Sequence, residues 1–416
     1  MQVRIHRGTQ QIGGTCVELS HDGARLLLDL GLPLDADPAD AACHPAIDGL
    51  TGGSDLLGLV LSHGHRDHLG LAHLAGPALP VAMGAATHRI LAAAAPFVPD
   101  THLPGNAVHL VDGVPLTFGP FTVTPFLVDH SAYDAYALLV EAGGQRLFYS
   151  GDLRAHGRKG ALFERLLRRP PRDVDILLME GTTLGRLAPG GRFPTEAEVE
   201  ASFVELFRAT PGLALVCASA QNIDRMVSLY RACRRAGRTL ILDLYAAEVL
   251  RATGNPNIPQ SHWPGVAVHV PHYQRVRIKQ TGRFDLLEPH RANRFFPEQL
   301  AALAPCATLL FRPAMLRDLD RAGCLSGAHA VWSQWDGYLR QERGLALLEQ
   351  LTERGIPLGH AHTSGHASLA DLQRLAAAIA PRMLVPIHTF EAQRFPEHFG
   401  PAVALKADGQ WWELAA

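Results

Sequence analysis

Leu56-Leu-Gly-Leu-Val-Leu61-Ser62-His63-Gly-His65-Arg-Asp67-His68 is the stretch on which the fold turns. Its first half is a short apolar run of the length and composition of a buried strand. Its second half packs three imidazoles and a carboxylate into residues 63–68, a dense set of first-row metal ligands. His63 and His65 are two apart, so they share a face if the chain stays extended. Asp67 and His68 must then turn toward a neighbouring site. The competing interpretation is a surface loop rich in histidine by accident. The order of residues and the strand directly before them argue against it.

Working outward, four more residues end apolar runs. Asp29 follows Arg25–Leu28, His130 follows Phe121–Leu127, Asp152 closes Tyr149-Ser-Gly-Asp152, and His388 closes Leu384-Val-Pro-Ile-His388. Alone, each is more often a turn residue or a satisfied core histidine than a ligand. Four of them at strand ends, beside a ready-made cluster, reverse that weighting. Further apolar runs occupy 146–150, 174–179, 213–218, 239–243 and 307–311, with helix-like stretches at 196–208, 223–235, 344–354 and 369–380. Buried strands alternating with helices indicate an α/β architecture. The first 140 residues are richer in strands, including a pair around Val108–Leu110 and Phe121–Phe126. The Pro/Gly-rich segment 188–195 predicts a linker, and residues near Gly355–Gly359 the return crossing.

The chain has 416 residues, 47% hydrophobic and 19% charged, enough for two cores and little disorder. Its formal charge is −2. Broad phosphate neutralisation needs a basic protein, so any nucleic-acid contact is expected in a local groove. Six scattered cysteines form no C-x-x-C pair and suggest free thiols in a reducing compartment. No apolar leader and no membrane-length run are visible, which predicts a cytoplasmic protein without membrane contact.

His-x-His-x-Asp-His, a later His and a Ser-Gly-Asp together resemble the metallo-β-lactamase superfamily. The resemblance implies an αββα sandwich and two metal ions. His63, His65 and His130 would hold one, Asp67 and His68 the other, Asp152 would bridge them, and Asp29 would order the cluster from behind. Zinc is the default, and manganese tolerates the same ligands. Downstream, Glu180, His362-Thr-Ser-Gly-His366-Ala-Ser368 and Pro386-Ile-His388 resemble the extra motifs of the beta-CASP nucleases, closest to the ribonuclease J group. That likeness runs from Gln11-Ile-Gly-Gly14 to about His388. It implies an inserted α/β beta-CASP domain at 190–350, between metallo-β-lactamase segments 1–189 and 351–416. In that family a final histidine, here His388, accompanies RNA substrates and valine accompanies DNA. The implied activity is metal-dependent hydrolysis of RNA, single strands favoured, to 5′-phosphate and 3′-hydroxyl products, with 5′-to-3′ exonuclease action within the family's range. The catalytic set would be Asp67, Asp152, Glu180 and His366, with His366 as general acid oriented by Glu180 and His388 completing the second metal. Where the group has Gly-Glu after that histidine, this chain has Thr389-Phe390-Glu391. It also ends soon after Trp411–Trp412, where the group's extra C-terminal domain would follow, so homo-oligomerisation stays an open option. Alternatives are a single-stranded DNA nuclease of the same family, a small-molecule metallo-hydrolase, and an inactive binding subunit, which would lack a ligand.

Ser364, Gly365, His366, Ala367 and Ser368 precede a helix and are candidates to cradle a phosphate; Ser219, Gln221 and Asn222 are placed similarly. Capping explains both as well, Ser368 with Asp371 forming a capping-box pattern. His73, His88, His102, His109, His269, His272 and His290 have no ligand-like company. Trp332 and Trp335 read as core before base stacking. Arg225, Arg231, Arg234, Arg235 and Arg238 read as a solvated helix face.

Overall fold

The computed structural model describes residues 1–99, 101, 103–188 and 190–413. His102 and the linker's Pro189 fall outside them. The chain forms two compact units. The first comprises Met1–Leu91, His102–Phe193 and Gly365–Ala416, and the second Ala92–Thr101 and Pro194–Ser364. The second unit therefore runs past residue 350. Strand Leu358–His360 hydrogen-bonds to His329–Trp332 and is the edge of that unit's own sheet.

The first unit is built on two sheets. One is seven-stranded, in the order Trp411–Glu413, Gln2–Arg7, Cys16–His21, Ala24–Leu28, Leu56–Val60, Val81–Gly84, Ala107–Leu110. The other is six-stranded, in the order Met383–Ile387, Ile176–Glu180, Gln145–Tyr149, Ala135–Ala142, Phe121–Val128, Leu116–Phe118. Alternating residues of the two inner faces (Val3, Val17 and Leu26 against Val123, Leu138 and Ile176) share one core. The outer face of the second sheet is covered by helices Gly160–Arg168, Leu369–Ile379 and Phe395–Phe399 through Phe163, Leu372, Leu375 and Phe395. The outer face of the first sheet packs Leu27, Leu59 and Met83 against Leu71 and Leu91 of the helical segments there. The layers read αββα.

One expected pairing is corrected. Ala107–Leu110 pairs in parallel with Val81–Gly84 in the first sheet, whereas Phe121–Val128 lies in the second. Its hairpin partner is the short strand Leu116–Phe118, turned by Gly119-Pro120, with Gly119 at φ +55°. A three-residue strand leaves too little alternation to be read ahead of the longer run.

The second unit is a seven-stranded parallel sheet in the order Arg294–Phe295, Val266–His269, Thr239–Asp243, Ala307–Leu310, Ala214–Cys217, His329–Trp332, Leu358–His360. Helices Pro297–Leu303, Leu316–Ala322 and Glu342–Glu353 pack on one face through Leu300, Leu319 and Leu347. Helix Glu196–Ala209 is opened by Thr195 in a full capping box with Glu198. Arg231, Arg234 and Arg235 are exposed, as a solvated helix face requires, but Arg225 and Arg238 are not. Arg225 is fully buried on Glu196 and Ser333, and Arg238 is buried with its guanidinium donating to the carbonyls of Phe207, Thr210, Gly212 and Ala307. Arg231 and Arg235 pair with Glu200. Trp332 is buried in its strand, but Trp335 is exposed and meets Tyr338 edge-on.

Candidate metal centre

The decisive stretch behaves as two pieces. After strand Leu56–Val60 the chain bends at Gly64 and His65, where His65 itself has extended dihedrals (φ −81°, ψ 148°), and a single helical turn, Arg66–Leu69, then begins. The change of backbone region separates His63 and His65 from Asp67 and His68. Gly31 lets this turn close. A Cβ there would stand 1.9 Å from the Asp67 carbonyl oxygen, which accepts from Thr15 N–H.

Three groups of donors form in the first unit: His63, His65 and His130; Asp67, His68, Asp152 and His388; and His130, Asp152 and His366. In each, the donor atoms lie within 4.8 Å of one another. Asp152 stands at their junction. Its Oδ2 is 3.2 Å from His68 Nε2, 3.7 Å from His63 Nε2 and 3.9 Å from His130 Nε2, and its Oδ1 is 3.7 Å from His388 Nδ1. Asp67 Oδ2 lies 3.5 Å from His388 Nε2 and 4.0 Å from His68 Nε2. His130 Nε2 and His65 Nδ1 face each other at 3.1 Å. Two ligands at about 2.0–2.1 Å from a tetrahedral ion are roughly 3.3 Å apart, so these separations are those of atoms around a cation.

Hydrogen bonds on the far side of four of the rings select the inward atoms. His130 Nδ1–H donates to the Gly365 carbonyl at 2.6 Å, which leaves Nε2 as a lone-pair donor. His68 Nδ1 bonds Asp29 Oδ2 at 2.7 Å, His63 Nδ1 meets Ser62 Oγ at 3.0 Å, and His388 Nδ1 meets Thr15 Oγ1 at 2.9 Å. The inward atoms, His63 Nε2, His68 Nε2, His388 Nε2 and both Asp152 oxygens, are buried without a hydrogen-bond partner among the described residues. The approach of His68 Nε2 to Asp152 is a close contact without hydrogen-bond alignment. Orphaned buried polar atoms are costly, and here they converge. The donor set fits two divalent cations that share Asp152.

Electrostatics agree with that fit at four of the five rings; at His68 burial is outweighed by Asp152 and Asp29, which raise its pKa well above the ordinary range. Burial, reinforced by neighbouring rings, holds His63 and His130 well below the ordinary imidazole range, and His65 and His388 are lowered by burial too. A lowered pKa favours the neutral ring, whose lone pair a cation can take. Against the opposing effect of burial, His388, His68 and His366 hold the Asp152 carboxyl well below its usual range.

The supporting shell is anchored on Asp29. Its carboxylate accepts from Ser62 N–H (2.6 Å), Ser62 Oγ (2.7 Å) and Tyr149 OH (2.6 Å), besides meeting His68. Asp29 and His388 adopt φ +57° and +54°, a left-handed backbone that non-glycine residues seldom take. Gly151 takes φ +52°, and a Cβ there would meet Tyr136 O at 2.9 Å. Glu180 ends its strand fully buried. Its Oε1 accepts from Leu153 N–H at 3.0 Å and its Oε2 meets His366 Nδ1 at 3.0 Å. His366 Nδ1 is also 3.7 Å from Asp152 Oδ2. Burial opposes a charge on His366, yet Glu180 and Asp152 outweigh it and raise its pKa.

The candidate phosphate residues divide between the units. Gly365, His366, Ala367 and Ser368 belong to the first. The Gly365 carbonyl is taken by His130, the Ala367 carbonyl accepts from Thr183 Oγ1, and Ser368 caps helix Leu369–Ile379 through Asp371. Ser364, Ser219, Gln221 and Asn222 belong to the second. Asn222 caps helix Ile223–Ala236, Gln221 Nε2 donates to Tyr245 OH at 2.9 Å, and Ser219 is exposed. Thr15, Ser62 and Tyr149 were not picked out by sequence reasoning. Thr15 had one visible cue, the Gly13-Gly14 turn before it.

Residues 25–227 match the family model described as beta-lactamase superfamily domain. Ribonuclease J of Mycobacterium tuberculosis is 25% identical over 93% of this chain and 68% of its own length. Ribonuclease J of Sinorhizobium meliloti is 23% identical over 80% of this chain and 58% of its own. A crystal structure of a protein of unknown function from Enterococcus faecalis V583 superposes with a TM-score of 0.80 at 21% identity, covering 99% of both chains, and so shares the fold.

Proposed function

Because this chain carries a metallo-β-lactamase superfamily domain and resembles ribonuclease J over most of its length, we propose that it is a metal-dependent ribonuclease. The observation that carries the proposal is the Glu180–His366 pair beside the Asp152-centred donor cluster. A donor cluster alone suits many hydrolases. A buried carboxylate bonded to a histidine beside that cluster adds a proton source, which departure of a ribose oxygen requires.

His63, His65 and His130 would hold one cation and Asp67, His68 and His388 the other, with Asp152 between. Bound cations there supply Lewis acidity toward a phosphodiester and make hydroxide available near neutral pH. The chain's own residues do the rest. Asp29 fixes His68 in the tautomer that directs Nε2 inward, and the Gly365 carbonyl does so for His130. Glu180, held by Leu153 N–H, orients His366 through Nδ1, which leaves Nε2–H as the proton delivered to the leaving 3′-oxygen. Products are a 5′-phosphate and a 3′-hydroxyl. The relatives' name and His388 at the final motif position support RNA over DNA.

The test is purified protein, its metal content measured, incubated with 5′-monophosphorylated, 5′-triphosphorylated and 5′-hydroxyl single-stranded RNA and with matched DNA. Metal-dependent cleavage of RNA in preference to DNA is expected. Mononucleotides released from the monophosphate form alone would add the 5′-to-3′ exonuclease mode. Full activity after exhaustive chelation, or equal cleavage by His366→Ala, would overturn the assignment.

A further inference from the structure

Charge in this chain is segregated. Residues 272–296 carry Arg275, Arg277, Lys279, Arg283, Arg291 and Arg294 against Asp285 and Glu288, a formal +4 within a chain of −2. The segment is helix His272–Thr281, the turns Phe284–Asn293 and edge strand Arg294–Phe295 of the second unit. Asp285 is taken up by Arg283 at 2.9 Å, while Glu288 is exposed. Among the described residues, Arg275, Lys279, Arg291 and Arg294 are in no ion pair. Such unpaired cations on an otherwise acidic chain form a focused positive surface.

The same surface is apolar at its centre. A cavity of about 360 Å³ has Val270, Ile278 and Phe284 in its wall and Arg275, Lys279 and Arg294 around it. Phe284 is 56% exposed and Phe296 50%, an unusual cost for two phenylalanines. The Arg294 guanidinium lies 5.3 Å over the Phe296 ring, a flat cationic platform beside an open aromatic one. Fatty or neutral ligands would leave the cations unanswered, and a plain polyanion would leave the phenylalanines unanswered. A single strand of nucleic acid satisfies both, with phosphates on the cations and a base on the apolar floor.

We propose that this face of the second unit is an accessory binding site for single-stranded RNA, built from residues other than those assigned to chemistry. The proposal rests on the ribonuclease reading for the identity of its ligand. A local basic stripe also reconciles RNA binding with the chain's acidic total.

The test uses the full metal-loaded chain and a fluorescent, cleavage-resistant 2′-O-methyl phosphorothioate RNA of about 20 nucleotides, followed by anisotropy at several salt concentrations. R275E/K279E/R294E should weaken binding at least tenfold and reduce the slope of log affinity against log salt by about 2. Phe284→Ala should weaken binding about tenfold with the slope unchanged. Both should cleave a trinucleotide at the wild-type kcat/KM. Where the triple variant loses its unfolding transition, Arg275→Glu alone serves, with a slope change of about 0.7. Wild-type affinity and salt slope in the folded charge variants would overturn the proposal. So would a loss confined to the charge variants and matched by poly-glutamate competition, which would mark an acidic protein as the occupant. A wild-type chain that binds the oligomer at this face but cuts no RNA would remove the ribonuclease reading and leave this site standing. Cleavage with an inert patch would do the opposite.

Discussion

In the second unit the Arg225 guanidinium is fully buried, and its nitrogens donate to both oxygens of Glu196 and to the Ser333 carbonyl at 2.9–3.2 Å. In the first unit His63, His68, Asp152 and His388 are as deeply buried, yet their inward atoms find no hydrogen bond. Arg225 resembles the way a fold completes itself, its desolvation answered by neighbours. The histidine cluster is an arrangement completed from outside. The same contrast exists within the first unit. Glu18 is buried at 0% exposure but meets Arg4 and Arg25 at 2.5 Å and His6 at 2.7 Å. Burial of charge therefore does not mark function here; burial without an answering group does.

Substituting on each side should separate the two kinds. Asp152→Asn is expected to lower turnover by at least about 10³-fold, some 4 kcal/mol of barrier, and to leave the metal-free protein as stable as the wild type or more so. A large loss of metal-free stability in urea unfolding would break the contrast. Arg225→Met should do the reverse. It strands the Glu196 carboxylate and should cost about 3–5 kcal/mol in the same assay, with metal content per folded chain unchanged. Asp29→Asn acts on the shell. Losing the carboxylate that orients His68 should weaken metal affinity about 10–100-fold, read by competition with a chelating dye. The smallest effect belongs to Glu18. Burial works against its charge, but bonds from His6, Arg4 and Arg25 lower its pKa from 4.5 to about 2. A depressed folded-state pKa gives stability that is whole above pH 4.5 and lost as pH falls toward 2. Glu18→Gln should cost about 1–2 kcal/mol at neutral pH and flatten the dependence of Tm on pH across that window.

Much of the donor cluster was legible because its side chains sit at strand ends, where a short apolar run announces the residue that follows it. His63 to His68, His130, Asp152 and His388 were found that way. What could not be read were partners joined only by packing. Thr15 meets His388 across 373 positions and Tyr149 meets Asp29 across 120, and nothing local to either residue encodes that meeting. Arg225 and Arg238 were misjudged for a related reason. Their spacing fits an exposed helix face, and only the carboxylate of Glu196 and the loop carbonyls around Arg238 make burial tolerable. The strand at 107–110 was paired with the wrong neighbour because proximity in sequence was its only visible guide. The end of the inserted unit was set too early because Leu358–His360 is three residues long and lies beside glycines.

Strand Met383–Ile387 aligns residue for residue with Ile176–Glu180, more than 200 positions earlier. A ribosome therefore releases most of the chain, including the whole second unit, before this strand and His388 emerge. Until they do, the donor cluster lacks His388. In the ribonuclease proposed above, that order of emergence would withhold activity until the second unit had been made.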